Sequence, residues 1–141
     1  MRGLALVNGD IQVGQSGYVE VTGQAKVLQD MVVATQEPYG SDQYHPGWGS
    51  YLNNFVGGDP TSSSALATSE VTRLVSNYMT VQTYNQAQAL AAGNKSPYGN
   101  DDFVTGLASL DVSQDDTSIT VNASLLTASG QTVGVAATVG G

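Results

Sequence analysis

Residues 118–125 read Ser-Ile-Thr-Val-Asn-Ala-Ser-Leu, and residues 132–139 read Thr-Val-Gly-Val-Ala-Ala-Thr-Val. In the first stretch Ile119, Val121, Ala123 and Leu125 alternate with Ser118, Thr120, Asn122 and Ser124. In the second, Val133, Val135, Ala137 and Val139 alternate with Thr132, Gly134, Ala136 and Thr138. Successive side chains of a strand point to opposite faces, so each stretch predicts a strand with one apolar and one polar face. A looser run, Val104, Ala108, Leu110 and Val112, precedes them, and Asp115-Asp116 and Ser129-Gly130 supply turns. The three runs predict an antiparallel meander over 103–141 with one face to bury.

Helices are the natural cover for that face. Val21, Ala25, Leu28 and Val32, with Met31 beside them, fall at helical spacing and predict a helix over 21–35. Gly23 and the β-branched valines weaken its intrinsic propensity, so packing must hold it. A second helix is predicted over 68–92: Thr68 or Ser69 can cap it, Glu70 sits in its first turn, and Val71, Leu74, Val75, Tyr78 and Val81 keep the period. Gly93 supplies a left-handed stop, with Pro97 just beyond. The second half of this helix, rich in Gln, Asn and Ala, reads as solvated or facing a partner. At the other end, Leu4-Ala5-Leu6-Val7 and Asp10-Ile11-Gln12-Val13 flank Asn8-Gly9, a dipeptide that accepts the positive φ angles of a tight turn, which predicts a hairpin within 1–14. Gly14 to Gly17 then break the pattern. The expected fold class is α+β: an N-terminal β-hairpin and two helices packed on a C-terminal three-stranded antiparallel sheet, in one domain spanning 1–141.

Between the helices, residues 36–66 form a loop and connection of unusual composition. Tyr39, Tyr44, Trp48, Tyr51 and Phe55 are half of the ten aromatic residues in the chain, interleaved with Gly40, Pro46, Gly47 and Gly49. Two uses suit such a loop: aromatics that plug the end of the core, and a Tyr- and Trp-rich protein-binding surface carried by Tyr44, Trp48 and Tyr51. A sugar-stacking platform is a third. Gly57 to Ser64 reads as a flexible connection.

The chain has 141 residues, 4 Lys and Arg against 12 Asp and Glu, a formal net charge of -8 and no cysteine. That balance excludes a phosphate-binding surface, so nucleic acid is not an expected partner. Without Cys there is no disulfide framework, thiolate metal site or Cys nucleophile. Met1–Val7 is too short an apolar run for a signal peptide or a membrane span, and the expectation is a soluble, unexported chain with no membrane partner. Only 11% of residues are charged, where ordinary domains carry about 25%. Ser, Thr, Gln and Asn supply 46 of the 141 residues instead, and with 40% hydrophobic residues the chain lacks the signature of disorder. From Thr117 to Gly141, 25 successive residues carry no side-chain charge and no proline, so the last strand has none of the usual protection of a free edge. Another element of the domain covers that strand, or a partner does by β-augmentation through residues 132–139, with Thr132, Val133, Val135, Ala137 and Val139 as the candidate interface.

Catalytic chemistry has one thin candidate. Glu37, Asp42 and His45 could pair an acid with a base, as glycoside hydrolases do. The plainer reading is local: Glu37 pairs nearby, Asp42 starts a turn, and His45 bonds within the loop. The lone His has no second metal ligand at a suitable spacing, no phosphate loop or serine elbow occurs, and neither metal nor cofactor is expected.

In its order of features the chain resembles the lysozyme-like baseplate wedge family of tailed phages. The residues that carry the resemblance are Leu4-Ala5-Leu6-Val7-Asn8-Gly9-Asp10-Ile11, Gly23 opening a helix that bears Gln29, then Thr35, Glu37-Pro38, and Pro46-Gly47-Trp48-Gly49-Ser50-Tyr51-Leu52. Within these, Asn8, Gly9, Gln29, Glu37, Pro38, Pro46 and Gly49 match the family pattern, while Tyr39 stands where the family has Arg. The resemblance implies a structural protein of the virion, made in the host cytoplasm and placed around the tail tube, with other wedge proteins, tube and sheath protein as partners. It further implies six copies in a ring and a terminal strand offered to the first ring of the sheath. The family's label carries an old suggestion of lytic activity, so a peptidoglycan-degrading enzyme and a carbohydrate-binding module stand as the alternatives to a structural role.

Overall fold

The computed structural model describes residues 2–7, 10–11, 13–14, 17–18, 20–41, 43 and 47–140. The chain is α+β, with an N-terminal hairpin, two helices and a C-terminal three-stranded antiparallel sheet. Strands β1 (Arg2–Leu4), β2 (Leu6–Val7), β3 (Asp10–Ile11), β4 (Val13–Gly14), β5 (Gly17–Tyr18) and β6 (Glu20–Thr22) fold back on one another as β1–β6, β2–β3 and β4–β5 pairs. The pairing of Val7 with Asp10 leaves the two-residue connection expected at 8–9, whose own residues lie outside the described ones. Gly14 to Gly17 do not end the pairing: Val13–Gly14 pairs with Gly17–Tyr18, and the ribbon is longer than the sequence pattern suggested.

Helix α1 (Gly23–Gln36) follows directly. Its buried positions are Val27, Met31, Ala34 and Thr35, a face rotated from the one expected; Ala25 and Leu28 are exposed. The helix is apolar on two flanks, and periodicity alone does not say which one meets the core. The hairpin is pinned to it by Gln29, whose amide accepts from Leu6 N–H at 2.9 Å and donates to Leu4 C=O at 2.8 Å.

Helix α2 (Pro60–Ala91) starts eight residues earlier than the sequence predicted. What looked like a linker is its first turns. Pro60 suits a first helical position because it has no N–H to leave unpaired, and Ser63 N–H already donates to Asp59 C=O at 2.8 Å. Thr68 is therefore internal, its hydroxyl bonded to Ser64 C=O one turn back, and Glu70 is not at a helix start. At the other end Gly93 takes φ +78° and Asn94 N–H donates to Ala89 C=O, closing the helix as expected.

Strands β7 (Val104–Gln114), β8 (Ser118–Thr127) and β9 (Thr132–Gly140) pair in the order β7-β8-β9. Register shifts between Val104 and Gly106 and between Leu107 and Ser109 put Leu107 against the core and leave Ala108 exposed, which is why the first run looked loose. Helix α1 lies over β9 and α2 over β7. One apolar cluster joins Val27, Met31, Leu74 and Tyr78 to Leu125, Val133 and Val135. A second joins Leu52, Ala67 and Val71 to Ile119, Val121 and Val139. The turn between β7 and β8 is held by the Asp115 carboxylate, which accepts from the backbone N–H groups and hydroxyls of Thr117 and Ser118. Those bonds, the backbone ones first, lower the pKa of this exposed carboxyl.

The β7 end of the sheet depends on a buried amide. Gln82, 2% exposed, accepts from Val104 N–H at 3.0 Å and donates to Val104 C=O, as a neighbouring strand would. Replacing Gln82 with Met keeps the bulk and removes both bonds, so urea unfolding is expected to register a loss of about 1–3 kcal/mol from stranded backbone groups. An unchanged midpoint would contradict this role.

Candidate functional site: an open strand edge and the aromatic loop

The hairpin from β8 to β9 fixes which backbone groups of β9 face outward. Thr127 N–H donates to Gln131 C=O at 3.0 Å, and Leu125 pairs with Val133 two positions on. Directly opposed residues of an antiparallel pair alternate between bonded and unbonded positions. Val133, Val135, Ala137 and Val139 therefore bond to β8, and the N–H and C=O groups of Thr132, Gly134, Ala136 and Thr138 point away from the sheet. The side chains alternate too: Val133, Val135, Ala137 and Val139 are buried beneath the helices, and Thr132 is exposed. Of the five β9 residues named as an interface, only Thr132 presents a side chain. What the strand offers is the backbone of the intervening residues.

The two edges of the sheet differ. Edge β7 carries two register shifts, exposed Asp111, and the Gln82 amide over Val104. Edge β9 has no charge and no register shift against β8. On its outward backbone, the Gln36 amide donates to Thr138 C=O at 3.2 Å. At the start of β9, Gln24 donates to the side-chain oxygen of Gln131 at 3.2 Å. Two glutamines of α1 thus reach the two ends of the strand, and among the described residues no strand pairs with the stretch between them.

The aromatic loop closes on itself. Residues 37–40 run alongside 48–50, with Ser50 N–H donating to Glu37 C=O at 2.8 Å, Tyr39 N–H to Ser50 C=O at 2.9 Å and Gly40 N–H to Trp48 C=O at 3.1 Å. Gly49 sits where the two segments meet, at φ +91°, and a Cβ there would lie 2.6 Å from Pro38 O. Only glycine fits. Glu37, Pro38 and Gly49, separate in the sequence pattern, are neighbours in space. Trp48 packs against the core, whereas Tyr51 stacks on Tyr39 at the surface, ring centroids 4.5 Å apart.

Arg73 of α2 locks this loop to the helix. It donates from Nη2 and Nε to the two carboxylate oxygens of Glu70 at 2.6 and 2.9 Å, and from Nη2 to Gly49 C=O at 2.9 Å. Its guanidinium carbon lies 5.2 Å from the Tyr39 ring centroid and 5.8 Å from that of Tyr51. Glu70, 7% exposed, also accepts from Tyr51 N–H at 3.0 Å. The hydrogen bonds to Glu70 outweigh the cost of burial and hold the Arg73 pKa above its usual value. Sequence patterns did not show this cluster, because nothing in the spacing ties Arg73 to Tyr39 or Gly49. Tyr39 is thus covered by an Arg from another element.

Asn8, Gly9, Tyr44 and Pro46 lie outside the described residues, as do Asp42 and His45 of the thin catalytic candidate. Glu37 accepts from the Ser41 hydroxyl at 3.3 Å, a local bond of the plain kind. A small recess of about 160 Å³ is lined by Trp48, Tyr78, Tyr98, Lys26 and Asp30 among others. Its polar groups bond to each other: Lys26 to Asp30, Tyr78 OH to Asp30 at 3.1 Å, and Asn85 to Tyr98 OH at 3.1 Å. Burial first, then Asp30, raises the Tyr78 pKa, so its hydroxyl stays a donor at every physiological pH. Among the described residues no group of three His, Asp or Glu could hold a metal ion, and no helix is long and apolar enough to cross a membrane. Set against protein-family models, curated proteins and solved structures, the chain finds no match.

Exchange of Arg73 for Met leaves the buried Glu70 carboxylate with its Tyr51 bond and no countercharge. Urea unfolding is expected to show a loss of about 1–3 kcal/mol. The double variant Glu70→Gln/Arg73→Met recovers part of it, since an amide oxygen still accepts from Tyr51. Equal stability of the parent and the Arg73 variant would mean that the pair contributes nothing.

Proposed function

We propose that this protein is an assembly subunit of a phage tail baseplate, seated around the tail tube, that starts sheath assembly by receiving a strand of the sheath protein along β9. The observation that carries the general part is the outward backbone of Thr132, Gly134, Ala136 and Thr138 on an edge without charge, proline or register shift. Such an edge on a free monomer invites uncontrolled pairing, whereas on a subunit built into a particle it supplies hydrogen bonds to the next component. The specific setting rests on the resemblance carried by residues 4–11, Gln29, Glu37-Pro38 and 46–52. Other wedge proteins, the tube and the sheath are the partners in this reading, six copies form the ring, the location is the virion, and no catalysis is required.

The experiment must spare the core. Removing residues 132–141 or placing Lys at Val135 would strip or charge side chains buried under α1, and loss of folding would hide the answer. Ala136→Pro is cleaner. It deletes one outward N–H and no bond to β8, a position that edge strands tolerate. The variant is expected to stay within about 1 kcal/mol of the parent in unfolding free energy while particles form without sheath. Ala136→Gly keeps the N–H and is expected to assemble. Normal contractile tails from Ala136→Pro would overturn the proposal.

A further inference from the structure

The edge does not stand alone. Leu28, 38% exposed, and half-buried Val32 lie on α1 between Gln24 and Gln36, each four residues from the next. Residues four apart share one helical face. Gln24 reaches Gln131 and Gln36 reaches Thr138, so this stripe runs along the length of β9. The opposite side of α1 is taken: Asp30 meets Tyr78 OH of α2 and also holds Lys26, one turn back on the same helix. The Leu28–Val32 flank therefore overhangs the side of β9 on which a fourth strand would lie. The same flank continues, on its hairpin side, into a groove of about 510 Å³ between α1 and the pinned hairpin, lined by Leu28, Val32, Ala25 and Gln36 with Leu6 and Val21. No charged residue lines it.

We infer that the strand received at β9 is recognised by its side chains as well as its backbone: it is an extended segment of a different protein, apolar at alternate positions and flanked by Lys or Arg. This inference rests on the reading of β9 as a receiving edge and says what that edge accepts. A strand bonded to the outward groups of Gly134 and Ala136 turns every second side chain toward the helix layer, on the α1 flank that exposes Leu28. Its other side chains face solvent and carry no such demand. Charge decides between a second copy and a foreign strand. With a net charge of -8, another copy of this chain is repelled on approach, and a basic segment is drawn in. Gln36 occupies the Thr138 carbonyl with a single side-chain bond, which an incoming strand N–H can replace.

Labelled synthetic peptides test this by fluorescence anisotropy on the whole chain. One ten-residue peptide alternates Val and Thr between Lys ends; a second has the same composition with the Val residues clustered; a third has Glu ends. The alternating basic peptide is expected to bind most tightly, with roughly tenfold weakening on Leu28→Ser and loss of binding on Ala136→Pro. Equal binding of the alternating and clustered peptides, with Leu28→Ser silent but Ala136→Pro still blocking, would overturn side-chain recognition and leave the receiving edge standing. Binding insensitive to Ala136→Pro, or no binding by any peptide, would overturn the edge itself. Equal binding of the Glu-ended peptide, or a dimer of the chain in sedimentation that Ala136→Pro dissolves, would overturn the choice of a basic foreign strand.

Discussion

A three-stranded sheet with one apolar face has to be covered on that face and closed at two edges, and the architecture of this protein follows from how each demand is met. Two helices suffice for the face: α1 over β9 and α2 over β7 bury Ile119, Val121, Leu125, Val133, Val135 and Val139. With both helices committed, none remains beyond β9. The outer flank of α1 and the outer edge of β9 are thus left open side by side, and a fourth strand is the element that would satisfy both.

Neutral amides do much of the work that charges do elsewhere. Gln82 stands in for a strand against Val104, Gln29 against Leu4 and Leu6, and Gln36 against Thr138. An amide carries both a donor and an acceptor, so it matches the backbone without the desolvation cost of an ion. The low charged fraction and the high Gln content are then one property seen twice. Two ion pairs stand apart: Lys26–Asp30 beside Tyr78, and Glu70–Arg73, where a buried carboxylate and a guanidinium tie the aromatic loop to α2. In the second pair Glu70 has the Tyr51 N–H as a further partner, and Arg73 has Gly49 C=O and the two tyrosine rings.

The C-terminal sheet was legible because a period of two admits no second interpretation for Ile119 to Leu125 or Val133 to Val139. The helices were legible in kind but not in detail. Pro60-Thr61-Ser62-Ser63-Ser64 has the composition of a linker and becomes a helix start only because later turns of α2 are packed on the sheet. For α1, the period through Ala25, Leu28 and Val32, with Met31 beside it, marks the helix, whereas packing buries Val27, Met31 and Ala34. That difference is informative: Ala25 and Leu28 of the stripe stay exposed, and only Val32 packs against the core. Contacts such as Arg73 with Tyr39 leave no periodic trace, since they depend on where a loop lands. The resemblance to a baseplate family drew on short segments, and Asn8, Gly9 and Pro46 among them lie outside the described residues.

The openness of β9 is the central claim, and residue-resolved amide hydrogen exchange on the isolated chain addresses it most directly. Bonded and free N–H groups should alternate along the strand. Val133, Val135 and Ala137 are expected to exchange slowly, and Gly134 and Ala136 near the rate of an unstructured chain. Uniform protection from Thr132 to Thr138 in the monomer would mean that the edge is already covered, and would contradict the account.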